Sequence, residues 1–162
     1  NRGGVFFENL EFLRYSSLSP KVGRGAAFGD VDNDGDLDLL VSNSGQGPTL
    51  LINQMGQKRN WVLLKLIGTR SNRDAVGAKI VITTENSSQT DQITGGGSYL
   101  SASDLRVHFG LGSSEIIKSL KIRWPSGTED VFRDVKANRI LSIREGAAKS
   151  EVQISPKTLP KQ

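Results

Sequence analysis

Five aspartates stand at alternate positions in residues 30–38, as Asp30, Asp32, Asp34, Asp36 and Asp38, with Gly35 between the third and fourth. The run fits DxDxDGxxD. Alternate residues of a tight loop can aim three carboxylates at one centre, and calcium, a hard cation, takes six to eight oxygen ligands. Asp30, Asp32 and Asp34 are the expected side-chain ligands. Gly35 permits the sharp turn that a β-carbon would oppose. Asp36 is expected to offer its backbone carbonyl while its side chain faces solvent, and Asp38 to close the site directly or through water. Without a cation, carboxylates within ~5 Å repel, each pair costing on the order of 1 kcal/mol even in a water-like dielectric. A bound divalent ion converts that repulsion into attraction, so ion binding should order the loop and stabilise the fold around it.

The spacing does not describe an EF-hand. Its twelfth position, counted from Asp30, is Val41, where that motif needs a bidentate Glu. Residues 23–29 are too glycine-rich for an entering helix, and residues 37–41 read as a strand. The loop therefore belongs to a β-hairpin. Magnesium suits it less well than calcium because it resists an all-protein oxygen cage.

Other candidate chemistry is thin. The chain has no cysteine and one histidine, His108, which rules out thiolate sites and a histidine-rich zinc site. Ser101, Ser103 and Asp104 lie near His108, but no nucleophile elbow surrounds them. His108 is expected on the polar side of its strand, and no enzyme activity is expected. Gly95-Gly96-Gly97 lacks the Lys-Ser/Thr and helix of a phosphate cradle and reads as a turn or bulge. Lys65, Lys79, Arg106, Lys121 and Arg123 fall on the polar phase of their strands. Were those strands neighbours, they would form a basic face able to bind an acidic polysaccharide; ordinary solvation is the simpler reading. Trp124 is in phase with Leu120 and Ile122 and is expected in the core, whereas Trp61 is compatible with either a core or a sugar-stacking role.

The elements that must position the loop are all β. The 162 residues include 18 glycines, many set between short apolar runs. The formal charge of +4 is spread as ordinary surface, so no nucleic acid partner is expected, and no apolar stretch is long enough to insert in a membrane. Residues 1–55 contain short extended pieces at 5–7 and 10–15, then the acidic run, then strands at 37–41 and 49–52. Residues 54–60 read as a linker. From Trp61 onward, apolar and polar residues alternate at 62–66, 78–83, 105–109 and 120–124, the mark of half-buried antiparallel strands. Trp124-Pro125-Ser126-Gly127 is a turn leading to a strand near 128–133, and a last strand covers about 139–144. Residues 115–118 read as a helical turn. A β-sandwich of about six to eight strands is expected over 56–146, followed by a flexible tail over 147–162.

Two segments resemble known families. Ala27-Phe28-Gly29-Asp30 through Asp38-Leu39 resembles the FG-GAP or VCBS repeat, a calcium-loop blade of β-propellers. Asn60-Trp61, residues 71–78, 96–101 and 105–112, and Arg123-Trp124-Pro125-Ser126-Gly127 together resemble the ASPIC/UnbV domain. The first resemblance implies that residues 1–55 are the last blade of a truncated propeller, with the remaining blades as partners, or a blade that packs on the sandwich, since one blade cannot close a propeller. Together they imply an exported protein (secreted, periplasmic or at the cell surface) whose role is adhesion to an extracellular protein or glycan, with structural calcium. The alternatives are a carbohydrate-binding module for acidic polysaccharide and a non-catalytic accessory domain of a larger secreted enzyme. The absence of the cysteine-rich extension of animal members favours a bacterial origin.

Overall fold

The computed structural model describes residues 21–54, 59–149 and 153–155. The extended pieces expected at 5–7 and 10–15 lie outside these residues, as do residues 55–58 of the expected linker. Strands β1 (Gly23–Gly29), β2 (Asp38–Asn43) and β3 (Gln46–Leu51) form an antiparallel sheet in that order. The remainder is a sandwich built from β4 (Asn60–Ile67), β5 (Lys79–Thr83), β6 (Ser88–Gln92), β7 (Val107–Gly112), β8 (Ile116–Arg123), β9 (Glu129–Lys136), β10 (Arg139–Arg144) and β11 (Gln153–Ser155). One layer has the order β11-β10-β4-β7 and the other β6-β5-β8-β9.

The alternating residues meet between the layers. Val62, Leu64 and Leu66 of β4, Phe109 of β7 and Ile143 of β10 share one apolar cluster with Ile80 and Ile82 of β5 and Leu120 and Ile122 of β8. Each such side chain contributes roughly 1.5–3 kcal/mol by leaving water. Trp124 joins this core, as its phase predicts.

Three expectations are corrected. Residues 115–118 are not a helical turn: Ile116 and Ile117 open β8, paired with Lys136 and Val135, as suits two β-branched residues with one side chain to bury. The sandwich is not purely antiparallel, because β10 runs parallel to β4, with Leu141 beside Leu64. Nor is the expected tail free of structure throughout: Ala147 is buried in the core and Gln153–Ser155 pairs with β10, while residues 150–152 and 156–162 of it lie outside the described residues.

Two buried carboxylates tie one end of the sandwich together. Glu145, 7% exposed, accepts the main-chain N–H groups of Thr69, Arg70 and Ser71 through Oε2, at 2.9, 2.7 and 2.7 Å. Its Oε1 accepts the hydroxyls of Ser71 and Ser126. Asp130 accepts the Trp124 indole N–H at 2.8 Å and the N–H groups of Gly146 and Ala148. Burial pushes the Glu145 carboxyl up, but the donations from Ser126, Ser71, Thr69 and Arg70 outweigh it and hold it down at about 2.

The outer face of β4 is covered as well. Trp61 and Leu63 are buried although their phase points them away from the inter-sheet core, to which only Val62, Leu64 and Leu66 belong. The acidic loop lies against Trp61: a Cβ built on Gly35 would sit 1.8 Å from an indole carbon. Strand β1 also approaches the segment before β7 closely, where a Cβ on Gly25 would meet Ser101 Oγ at 2.4 Å. The Asp104 N–H donates to the Phe28 carbonyl at 3.0 Å, bonding the two parts main chain to main chain.

Two outcomes follow from this packing. Gly35 has φ of 99° and no room for a side chain, so Gly35→Ala should cost about 3 kcal/mol or more, read as a lowered urea midpoint; an unchanged midpoint would contradict the docked arrangement. Glu145→Gln should cost on the order of 2 kcal/mol at neutral pH. Because the folded carboxyl sits at about 2 and its ordinary value is 4.5, the stabilisation is complete above 4.5 and disappears as pH falls toward 2. The variant should therefore lose less stability than the wild type over that acid range, and parallel curves would refute the role.

Candidate metal centre

The acidic loop connects β1 to β2, and two left-handed residues shape it. Asn33 has φ of 60°, a conformation that asparagine tolerates better than most residues, and Gly35 follows at 99°. These turns fold the loop back so that its carboxylates face inward. Asp30, Asp34, Asp36 and Asp38 are all buried, while Asp32 is half-buried.

Main-chain N–H groups fix the carboxylates. Asp30 accepts from Asp34 through Oδ1 at 3.0 Å and from Gly35 through Oδ2 at 3.1 Å. Asp38 accepts from Val31 at 2.9 Å and from Asn53 at 2.9 Å, joining the start of the loop and the segment after β3 to one side chain. Asp32 accepts from Asp34 at 3.3 Å, and Asp34 accepts from Asp36 at 3.1 Å.

Asp30, Asp32 and Asp38 each place a carboxylate oxygen within 4.8 Å of the others. Two oxygens bound to one calcium at 2.3–2.6 Å can be at most ~5 Å apart, so the trio fits a single ion, and its donors are all hard oxygens. Burial, ahead of every opposing effect, pushes the Asp30 carboxyl above its ordinary value; the Gly35 N–H, the Arg106 guanidinium and the Asp34 N–H pull the other way. Asp32 is also raised, by burial first and then by the Asp34 charge. With raised folded values, ionisation of these two groups opposes folding as pH rises above 3.8, unless a cation offsets it.

Of the five expected residues, the structure converges three. Asp34 is buried beside them with its Oδ1 on the Asp36 N–H. The expectation for the Asp36 side chain is corrected: the residue is 3% exposed and does not face solvent. Asp34, Asp36 and Asp38 occur at alternate positions leading into β2, and all three turn inward.

Sequence reasoning missed the residues surrounding the loop. Arg106 donates through Nη1 to Asn33 Oδ1 and through Nη2 to the Asp30 carbonyl, both at 2.7 Å. Asp104 holds the same guanidinium at Nε, 2.6 Å away. His108 Nε2 is bonded to the Gly35 carbonyl at 2.9 Å, and the ring is stacked against Trp61, centroids 6.4 Å apart. Arg106 and His108 share the polar phase of β7 and the residue before it. That spacing was visible; what lay opposite them was not. Trp61 is buried against Gly35 and is not an exposed sugar platform.

The five basic residues do not form one face. Lys79, Lys121 and Arg123 lie on β5 and β8, Lys65 lies on β4 in the other layer, and Arg106 is engaged at the loop. Lys121 pairs with Glu129 at 3.0 Å.

The sequence profile of the family described as ASPIC and UnbV matches residues 68–150. The chain is similar to Cartilage acidic protein 1 of Xenopus tropicalis, 38% identical over 124 residues, which is 73% of this chain and 19% of that protein. It is likewise similar to Cartilage acidic protein 1 of Homo sapiens and of Mus musculus, each 35% identical over 127 residues, 76% of this chain and 19% of the relative. The chain thus spans about a fifth of the length of these curated relatives. With just over half of its 162 residues matched by the profile and the segments that carry the match packed into one sandwich, the chain belongs to the ASPIC and UnbV family.

Proposed function

We propose that the chain is a non-catalytic, calcium-binding module of a secreted or surface protein, with a role in adhesion. The observation that carries this reading is the convergence of Asp30, Asp32 and Asp38 oxygens within 4.8 Å in a buried loop. Asp34 and the carbonyl of Asp36 complete the ligand set in this reading, and the ion is structural. Its work is to cancel the charge of carboxylates already withdrawn from water.

The sheet β1-β2-β3 is read as an FG-GAP or VCBS blade. Its support is the distribution of apolar residues. Phe28 pairs with Leu39, and Leu40 with Leu50, so apolar side chains occupy both faces. Phe28, Leu40, Leu50 and Ile52 remain 44–56% exposed. A sheet that is apolar on both faces needs cover on both, as neighbouring blades of a propeller would provide. The remaining blades of a longer chain are the proposed partners, together with an extracellular protein or glycan bound by the assembled surface. The matched relatives, all described as Cartilage acidic protein 1, support the extracellular setting.

Thermal melting in calcium, in magnesium and in chelator tests the metal. Calcium should raise the melting temperature by several degrees over chelator, corresponding to about 3 kcal/mol at a hundredfold excess over Kd, and magnesium should raise it less. Asp38→Asn should abolish the increment. Coincident melts in all three conditions would refute the calcium reading.

A further inference from the structure

We propose that Arg106, His108 and Trp61 are positioning residues of the metal loop, so that calcium binding and the docking of the three-stranded sheet on the sandwich form one coupled equilibrium. The inference rests on the calcium reading above and adds the sandwich to the site.

The sandwich grips the turn of the loop. Arg106 reaches Asn33 Oδ1 and the Asp30 carbonyl, His108 reaches the Gly35 carbonyl, and the Trp61 indole fills the space beside Gly35. Asn33 and Gly35 are the left-handed residues whose conformation brings Asp30 and Asp32 back toward Asp38. Fixing them from outside orders the carboxylates before an ion arrives, and ligands ordered in advance bind with less entropic loss.

The gripping residues are themselves held. Asp104 takes the Arg106 Nε and main-chain N–H, at 2.6 and 2.9 Å. Asn138 clasps Trp61 in both directions: its N–H donates to the Trp61 carbonyl at 2.7 Å, and its Oδ1 accepts the Trp61 N–H at 3.2 Å. Asp104 pairs with the guanidinium, and the two hydrogen bonds to Asn33 and Asp30 fix its place at the loop. Coupling is reciprocal. If the sandwich raises calcium affinity, calcium must strengthen the docking, including the Asp104 N–H bond to the Phe28 carbonyl.

The test uses the whole chain and two readouts. Calorimetric titration with calcium, well below the melting temperature, should show roughly tenfold weaker binding for Arg106→Lys, which keeps the charge and loses the two-pronged reach, and for His108→Ala. Arg123→Lys, on the far layer, should bind like the wild type. In the wild type, amide exchange at residues 104–106 should slow when calcium replaces chelator. Wild-type calcium binding with unchanged affinity in both loop-facing variants and equal exchange in the two conditions would overturn the coupling while leaving the calcium reading intact. No calcium heat in the wild type would overturn both. An unfolded His108→Ala would leave Arg106→Lys and the wild-type exchange to decide.

Discussion

The carboxylates of Asp30 and Asp38 are almost wholly withdrawn from water, and each is held in place by two main-chain N–H groups. Burying a charge is costly unless it is hydrogen-bonded and neutralised, and the geometry of this region answers that requirement. The turn through Asn33 and Gly35 delivers the N–H groups of Asp34 and Gly35 to Asp30. It lies against Trp61 because Gly35 has no side chain to keep it away. Asp38 ties the start of the loop to the segment after β3 by taking N–H groups from both Val31 and Asn53.

The same chain solves a similar problem differently at Glu145. There, three main-chain N–H groups and two hydroxyls converge on one carboxylate, and the donations overcome burial. Around the acidic loop, the N–H groups are divided among neighbouring carboxylates that repel each other, and burial prevails at Asp30 and Asp32. Glu145 is satisfied by its own donors, whereas the donors around the loop leave Asp30 and Asp32 raised by burial. Arg106 acts on Asp30 by its charge and is shared with Asp104. The contrast separates a structural latch from a candidate ion site more sharply than a count of acidic residues does.

The family segments divide between these two ends of the sandwich. Ser71 and Trp124-Pro125-Ser126 meet Glu145 and Asp130. Ser101, Arg106 and His108, with Trp61 ahead of the matched residues, meet the three-stranded sheet and its loop. The sandwich is therefore a domain with one end locked internally and one side shaped to receive a neighbour. Strand β4 records this in its apolar residues on both faces, Val62 and Leu64 inward, Trp61 and Leu63 outward.

Much of this could be read from the chain without coordinates. Period-two alternation identified the sandwich strands β4, β5, β7 and β8, because a side chain's face in a strand follows from local geometry alone. The aspartate spacing marked the loop, because mutual repulsion among near neighbours is also a local property. Other features depended on residues far apart in sequence. The strand at Ile116–Ile117 needed β9 as its partner, and the parallel pairing of β10 with β4 followed from a crossing between layers. The inward turn of Asp36, the nest around Glu145 and the grip of Arg106 and His108 on the loop join groups separated by up to 76 residues or depend on what covers them. Local spacing fixes which residues can act together along one strand or loop. Only the folded chain decides which distant donors and charges stand opposite them.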